Sequence, residues 1–188
     1  MVYAPNPHWQ MIDRSGGRKY LNAAERRRFL EAADRMPPCR RALCYLLAFT
    51  GCRISEALAL TPAQLDAEGR TITLRTLKRR RLVYRTLPLP ECVIRLLRAM
   101  LRGPADRFWN IHRVTAWRWV KAAMRQVQVA GAMASCKGLR HGFGMRAAAC
   151  NIPPNLIQRW LGHASPATTA VYLDAVGTEE RRFASRMW

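Results

Sequence analysis

One short segment of this chain is patterned for β-strands, and the sequence on both sides of it is patterned for helices. Between Arg70 and Leu89, the runs Thr71-Ile72-Thr73-Leu74 and Val83-Tyr84-Arg85-Thr86-Leu87 are rich in β-branched and aromatic residues. The Lys78-Arg79-Arg80-Arg81 block links them, so the pattern predicts an antiparallel β-hairpin with positive charge at its tip or edge. Pro88 and Pro90 close the second run, because proline has no N–H to give to a strand ladder.

Helical signals fill most of the remainder. Asn22 is placed to cap a helix from Ala23 to about Met36, with Phe29 and Leu30 facing inward and Pro37-Pro38 ending it. A second apolar helix runs from Arg40 to Phe49. Thr50-Gly51 breaks it, which puts Arg53 at the start of a further helix, Ile54 to Leu60. Beyond the hairpin the pattern predicts helices at Glu91 to Leu101, Arg113 to Val129, Lys137 to Cys150, Pro154 to Leu161 and Pro166 to about Ala175. Asn151 and Gly162 act as stops and Ser165-Pro166 as a start. Met1 to Arg18 shows neither period and is expected to be an arm. The expected fold class is therefore mainly α with a small antiparallel β-hairpin or sheet.

Composition narrows the partners. At 188 residues and 49% hydrophobic content the chain can bury one sizeable core. Its 32 Lys and Arg against 12 Asp and Glu leave a formal charge of +20, a balance that calls for a polyanion, with nucleic acid first. No apolar run approaches the roughly 18 residues of a membrane-spanning helix, and no signal-peptide pattern opens the sequence. A soluble protein in the cytoplasm, associated with the nucleoid, is the expectation. Cys39, Cys44, Cys52, Cys92, Cys136 and Cys150 form no CxxC pair and are expected to be buried free thiols. Cys136 with His141 would supply two ligands of a zinc site, but no second pair at a metal spacing follows, so no zinc site is expected, and no cofactor is expected.

Four short boxes then appear in order. Thr50-Gly51-Cys52-Arg53-Ile54-Ser55-Glu56-Ala57-Leu58, followed by Leu60 and Asp66, resembles the first arginine box of the tyrosine recombinase (phage integrase) family. Lys137-Gly138-Leu139-Arg140-His141-Gly142-Phe143 resembles its His-x-x-Arg-His box, and Leu161-Gly162-His163 its Leu-Gly-His box. Tyr172 stands nine residues beyond that histidine, where the family keeps its nucleophile. Taken singly, each residue has an ordinary reading: a solvated arginine, a helix-end histidine, a half-buried tyrosine. Their joint order favours the family. The resemblance implies the family's catalytic-domain fold over residues 20–176, with an arm at 1–19 and a tail at 177–188 that docks on a neighbouring protomer.

The resemblance also implies a chemistry. Attack by a tyrosine hydroxyl on a phosphodiester builds negative charge on the non-bridging oxygens, and arginine's planar, permanently charged fork suits them. Arg53 and Arg140 are the expected clamp, His163 a third donor, and Tyr172 the nucleophile that forms a 3′-phosphotyrosyl link without a metal ion. By the same resemblance Lys78 gives a proton to the leaving 5′-oxygen, with Arg79, Arg80 and Arg81 competing for the scissile phosphate. His141 is expected to support Arg140 or its phosphate.

Two departures from the family pattern accompany the match. Lys137 occupies the position of the box histidine, as in type IB topoisomerases, and its expected role is electrostatic. Only about 20 residues precede the expected catalytic fold, where family members carry a further DNA-binding domain, so an accessory DNA-binding protein is an expected partner beside a homotetramer on double-stranded DNA. Arg79, Arg80, Arg81, Arg113, Arg118, Lys121 and Arg125 are candidate DNA contacts, since phosphate contacts position a protein on a duplex. The leading expectation is a site-specific recombinase or integrase. The alternatives are a type IB topoisomerase-like enzyme and a non-catalytic DNA-binding regulator derived from a recombinase.

Overall fold

The computed structural model describes residues 11–76, 83–101, 103, 106–173, 185 and 187. The chain enters α1 (Ala23–Asp34) through a reciprocal cap: Asn22 Oδ1 accepts from the Glu25 amide at 2.8 Å and the Glu25 carboxylate accepts from the Asn22 amide at 2.9 Å. Next come α2 (Pro38–Thr50) and α3 (Ile54–Leu58). Proline needs no N–H in a first turn, so α2 begins at Pro38, two residues before the sequence pattern placed it.

A three-stranded antiparallel sheet follows, ordered β1 (Leu65–Asp66), β2 (Thr71–Arg75), β3 (Tyr84–Pro88). The hairpin was predicted; β1, only two residues long, carries too little pattern to be read. In register, Ile72 faces Leu87 and Leu74 faces Arg85. Ile72, Leu74 and Leu87 point into the core, and Arg85 occupies the fourth inward position.

The second half is helical: α4 (Glu91–Arg98), α5 (Arg113–Gln126), α6 (Cys136–Ala149), α7 (Pro154–Leu161) and α8 (Ala167–Ala170). The predicted helix from Pro166 is regular only over α8, gives way to a turn at 171–173, and beyond that lies outside the described residues. α2 sits centrally against α1, α4, α5 and α6. Phe29, Leu43, Leu46, Leu47, Ile72, Leu97 and Met124 fill the main core, each burial stabilising by about 1.5–3 kcal/mol. A second, smaller cluster joins Met11, Ala147, Ile157, Leu161 and Tyr172.

Some features add to the sequence pattern or depart from it. The described end of the arm is structured: Asp13 organises a tight turn by accepting from the Ser15 and Gly17 amides at 2.9 and 2.8 Å, Ile12 bridges to Arg18, and Met11 is buried. All six cysteines are free, but only Cys44 and Cys52 are buried, while Cys150 is exposed at the end of α6. Trp117 is 40% exposed because core-facing Ala116, Val120, Ala123 and Met124 take the inner stripe of α5. Among the described residues no helix is long and apolar enough to cross a membrane.

Candidate active site

The site assembles where three chain breaks meet. α2 ends in the left-handed conformation at Gly51, so Arg53 comes to cap α3 with its side chain partly open to solvent. Its Nη1 donates to Glu56 Oε1 at 2.8 Å, and its backbone N–H donates to the other carboxylate oxygen at 2.9 Å. Arg140 approaches from the middle of α6 and is 8% exposed. It donates to the Gly51 carbonyl at 2.9 Å and to the Leu161 carbonyl at 2.6 Å, groups left without intrahelical partners at the ends of α2 and α7. One guanidinium thereby ties two helix ends together.

The charges do not balance. Around this point stand the guanidinium groups of Arg53, Arg85 and Arg140, and Glu56 is the only buried carboxylate paired with them among the described residues. Burial, then the nearby charge of Arg53, brings Arg140 down to about 10, which still leaves it protonated at neutral pH. Burial alone would raise Glu56, but the hydrogen bond and charge of Arg85, and then Arg53, hold it below the usual carboxylate range. A buried excess of positive charge is costly until an anion joins it. Chemically, the arrangement suits an anion.

The tyrosine and both histidines lie against it. Gly162 ends α7 at φ +66°, a conformation that disfavours side chains, and sends His163 back towards α8. His163 Nδ1 lies 2.9 Å from the Thr169 hydroxyl, and its ring stacks on Tyr172 with centroids 5.9 Å apart. Tyr172, in the turn after α8, is 2% exposed, with its hydroxyl 3.1 Å from His141 Nδ1. The ring lies directly on α6: a Cβ added at Gly144 would come within 2.6 Å of it.

His141 therefore meets the tyrosine hydroxyl directly, a contact the sequence does not indicate, since one residue along a helix turns a side chain by about a quarter of the circle away from Arg140. Its Nε2 is buried and makes no hydrogen bond among the described residues. Both histidines are pushed down to about 3, His141 by burial and then Lys137, Arg140 and Lys19, His163 by burial and then Arg140 and Arg53. Burial pushes Tyr172 up to about 12, with Arg140 and Arg53 working against it. All three rings are uncharged at neutral pH.

The remaining predicted residues divide. Lys137 is exposed in the first turn of α6, one turn from His141 and near enough to influence its charge. Arg113, Arg118 and Arg125 are exposed along α5, whereas Lys121 is half-buried and donates to the Ala134 carbonyl at 2.8 Å. Lys78, Arg79, Arg80 and Arg81 lie outside the described residues, as does most of the tail from 177 onward. Sequence reasoning gave no role to Glu56, Arg85, Gly144 or Thr169. Only Arg85 carried a usable signal: it falls in an inward slot of an alternating strand, where a charge must find a partner.

Comparison with known proteins gives the arrangement its context. The model of the phage integrase family matches residues 19–178, a span that contains every site residue named above. The chain belongs to the phage integrase family. Among curated relatives, tyrosine recombinase XerD of Mycobacterium tuberculosis is 30% identical over 148 residues, covering 70% of this chain and 46% of the relative. The chain thus spans about half the length of that relative. Among solved structures, XerA recombinase superposes with a TM-score of 0.76 at 23% identity, covering 89% of this chain and 64% of the other. XerH site-specific recombinase, in a pre-cleavage complex with its difH substrate, superposes with a TM-score of 0.72 at 22% identity, covering 94% and 59%. The fold of this family member is that of recombinase catalytic domains.

Proposed function

We propose that this chain is the catalytic part of a site-specific DNA recombinase that cuts and rejoins duplex DNA through a 3′-phosphotyrosyl link at Tyr172. The observation that carries the reading is the excess of guanidinium charge at partly exposed Arg53 and buried Arg140, near enough to act on Tyr172. Arg53, Arg140 and His163 donate to the non-bridging oxygens of the scissile phosphate, and exposed Lys137 adds positive charge. In this reading these fixed cations, and no metal ion, stabilise the charge of the transition state.

Proton bookkeeping assigns the other roles. The Tyr172 oxygen bonds to phosphorus, its proton passes to neutral His141 Nδ1, and the P–O bond to the 5′-oxygen breaks as that oxygen takes a proton from Lys78. A phosphate between the arginines offsets the charge of Arg140 that helps to keep His141 neutral, which raises the basicity of His141 as attack begins. Rejoining runs these transfers backwards, with His141 returning the proton to Tyr172.

Four protomers hold two duplexes in the full reaction, with the tail from 177 docked on a neighbour and the arm, residues 1–19, flanking the catalytic domain at 20–176. DNA in the nucleoid is the substrate. Arg79, Arg80, Arg81, Arg113, Arg118 and Arg125 neutralise its backbone, and Lys121 assists from its partly covered position. Duplex affinity should fall by roughly a thousandfold from low to moderate salt if six or more phosphates are contacted.

The test combines nicked duplex DNA with supercoiled plasmid. A denaturant-resistant adduct on the 3′-phosphate of the nicked duplex is the expected result. Binding without an adduct would make the chain a DNA-binding regulator, and steady relaxation of plasmid by the chain alone would make it topoisomerase-like.

A further inference from the structure

Arg85 has no place in the reaction just described, yet it is buried and held by several strong polar contacts. It projects from β3 into the interior and is 5% exposed. Nη2 donates to Glu56 Oε2 at 2.6 Å, Nη1 to the Thr76 hydroxyl at 2.8 Å, and Nε to the Trp160 carbonyl at 2.9 Å. Glu56 also holds Arg53, accepting from its Nη1 at Oε1 and from its backbone N–H at Oε2, while Arg85 Nη1 lies 3.5 Å from Oε1. Trp160 lies in the last turn of α7, two residues before the Gly162 turn that delivers His163. At Gly162 an added Cβ would fall 3.0 Å from the Arg85 guanidinium carbon, so the turn is fitted against this side chain.

The geometry points to Arg85 as a positioning residue that sets the phosphate clamp from behind, through Glu56 to Arg53 and through the end of α7 to His163. A carboxylate with one cationic partner draws that partner into a closed pair. By occupying Oε2, Arg85 leaves Arg53 bound at a single Nη and keeps its other donors available to a phosphate. Its bond to the Trp160 carbonyl caps α7 beside the Arg140 bond to Leu161, so the two arginines together fix the end of the helix from which His163 departs.

The inference rests on the recombinase reading only for its rate measurement, and a second readout stands apart from catalysis. Single-turnover cleavage of nicked duplex would be compared for wild type, Arg85→Met, Arg85→Lys, Glu56→Gln and Arg85→Met with Glu56→Gln, alongside duplex affinity. Arg85→Met should cut on the order of 10²-fold more slowly with affinity changed less than about threefold, because donors lost to a developing oxyanion cost about this much. Arg85→Lys should fall between them. The double variant should recover at least about tenfold over Arg85→Met, since a neutral amide no longer captures Arg53. A purely structural role predicts no such rescue.

In the DNA-free protein, the Nε–H resonance of Arg53 should move in Arg85→Met and return in the double variant. If Arg85→Met does not fold, Arg85→Lys and the double variant carry the same comparison. An inactive wild type with the resonance shifts as described would sink the recombinase reading and keep the role of Arg85. An unmoved Arg53 resonance, or a double variant no faster than Arg85→Met, would overturn the assignment.

Discussion

The two halves of the site are held in different ways. The clamp is a lattice of charged hydrogen bonds: Arg53 and Arg85 share Glu56, Arg85 reaches Thr76 and Trp160, and Arg140 reaches Gly51 and Leu161. These contacts join α2, α3, β3, α6 and α7 before any DNA arrives. The tyrosine is held by packing, with its ring between His163 and Gly144, its neighbours Met11, Ile157 and Leu161, and one hydrogen bond at the hydroxyl. In the proposed reaction, charge that must meet a fixed phosphate is preorganised by directional bonds, while the attacking hydroxyl sits on a ring in a small apolar seat.

Removing a clamp member should be the most damaging change. Arg140→Ala leaves the ends of α2 and α7 uncapped and the phosphate without a central donor, so single-turnover cleavage should drop by about 10³-fold or more, with a lower melting temperature. Near-normal cleavage in that variant would break the division drawn above. At the rim, Lys137→Ala should lose on the order of 10²-fold while Lys137→Arg and Lys137→His retain part of the rate, all with little change in ground-state DNA affinity. Equal rates for Lys137→Ala and wild type would mark Lys137 as a bystander.

The seat should respond to shape instead of charge. Gly144→Ala puts a methyl into the Tyr172 ring, which must shift at a cost of about 1–3 kcal/mol. Cleavage should fall about tenfold in the same variant, and duplex affinity should stay constant because the basic surface is untouched. Loss of DNA binding in Gly144→Ala would show that seat and clamp are one unit.

Acid should act on both halves at once, through the two histidines. His141 and His163 are held near 3 when folded, against an ordinary value near 6.5, so below 6.5 the unfolded chain takes up protons that the native one refuses. Stability should be full above pH 6.5 and fall as the pH drops towards 3, by up to about 1.4 kcal/mol per pH unit for each histidine. Denaturant melts from pH 7 to 4 measure the slope. Replacing His141 by Gln should remove about half of it, and an unchanged slope would contradict its buried, neutral state.

Much of this was legible in the sequence, for physical reasons. Gly51 and Gly162 announce helix ends, the alternation at Thr71–Leu87 announces the hairpin, and the order of the boxes brought Arg53, Arg140, His163 and Tyr172 into one candidate site. What escaped depends on contacts between distant segments. That Glu56 serves two arginines follows from how α3 meets the sheet, and that Gly144 makes room for a ring 28 positions along the chain and that His141 faces Tyr172 follow from how α6 meets the turn after α8. Local pattern holds no information on that packing. Strand β1 and the exposure of Trp117 were hidden for the same reason: the sheet and the inner stripe of α5 are completed by residues elsewhere.

The most direct test of the account is covalent capture. On a nicked duplex that releases its short 5′-hydroxyl fragment, the wild-type chain should become linked to the DNA 3′-phosphate, and peptide mapping should place the link on Tyr172. Tyr172→Phe should bind the same duplex with comparable affinity and form no adduct. An undiminished yield of adduct in Tyr172→Phe, or a link mapped to another residue, would contradict the account.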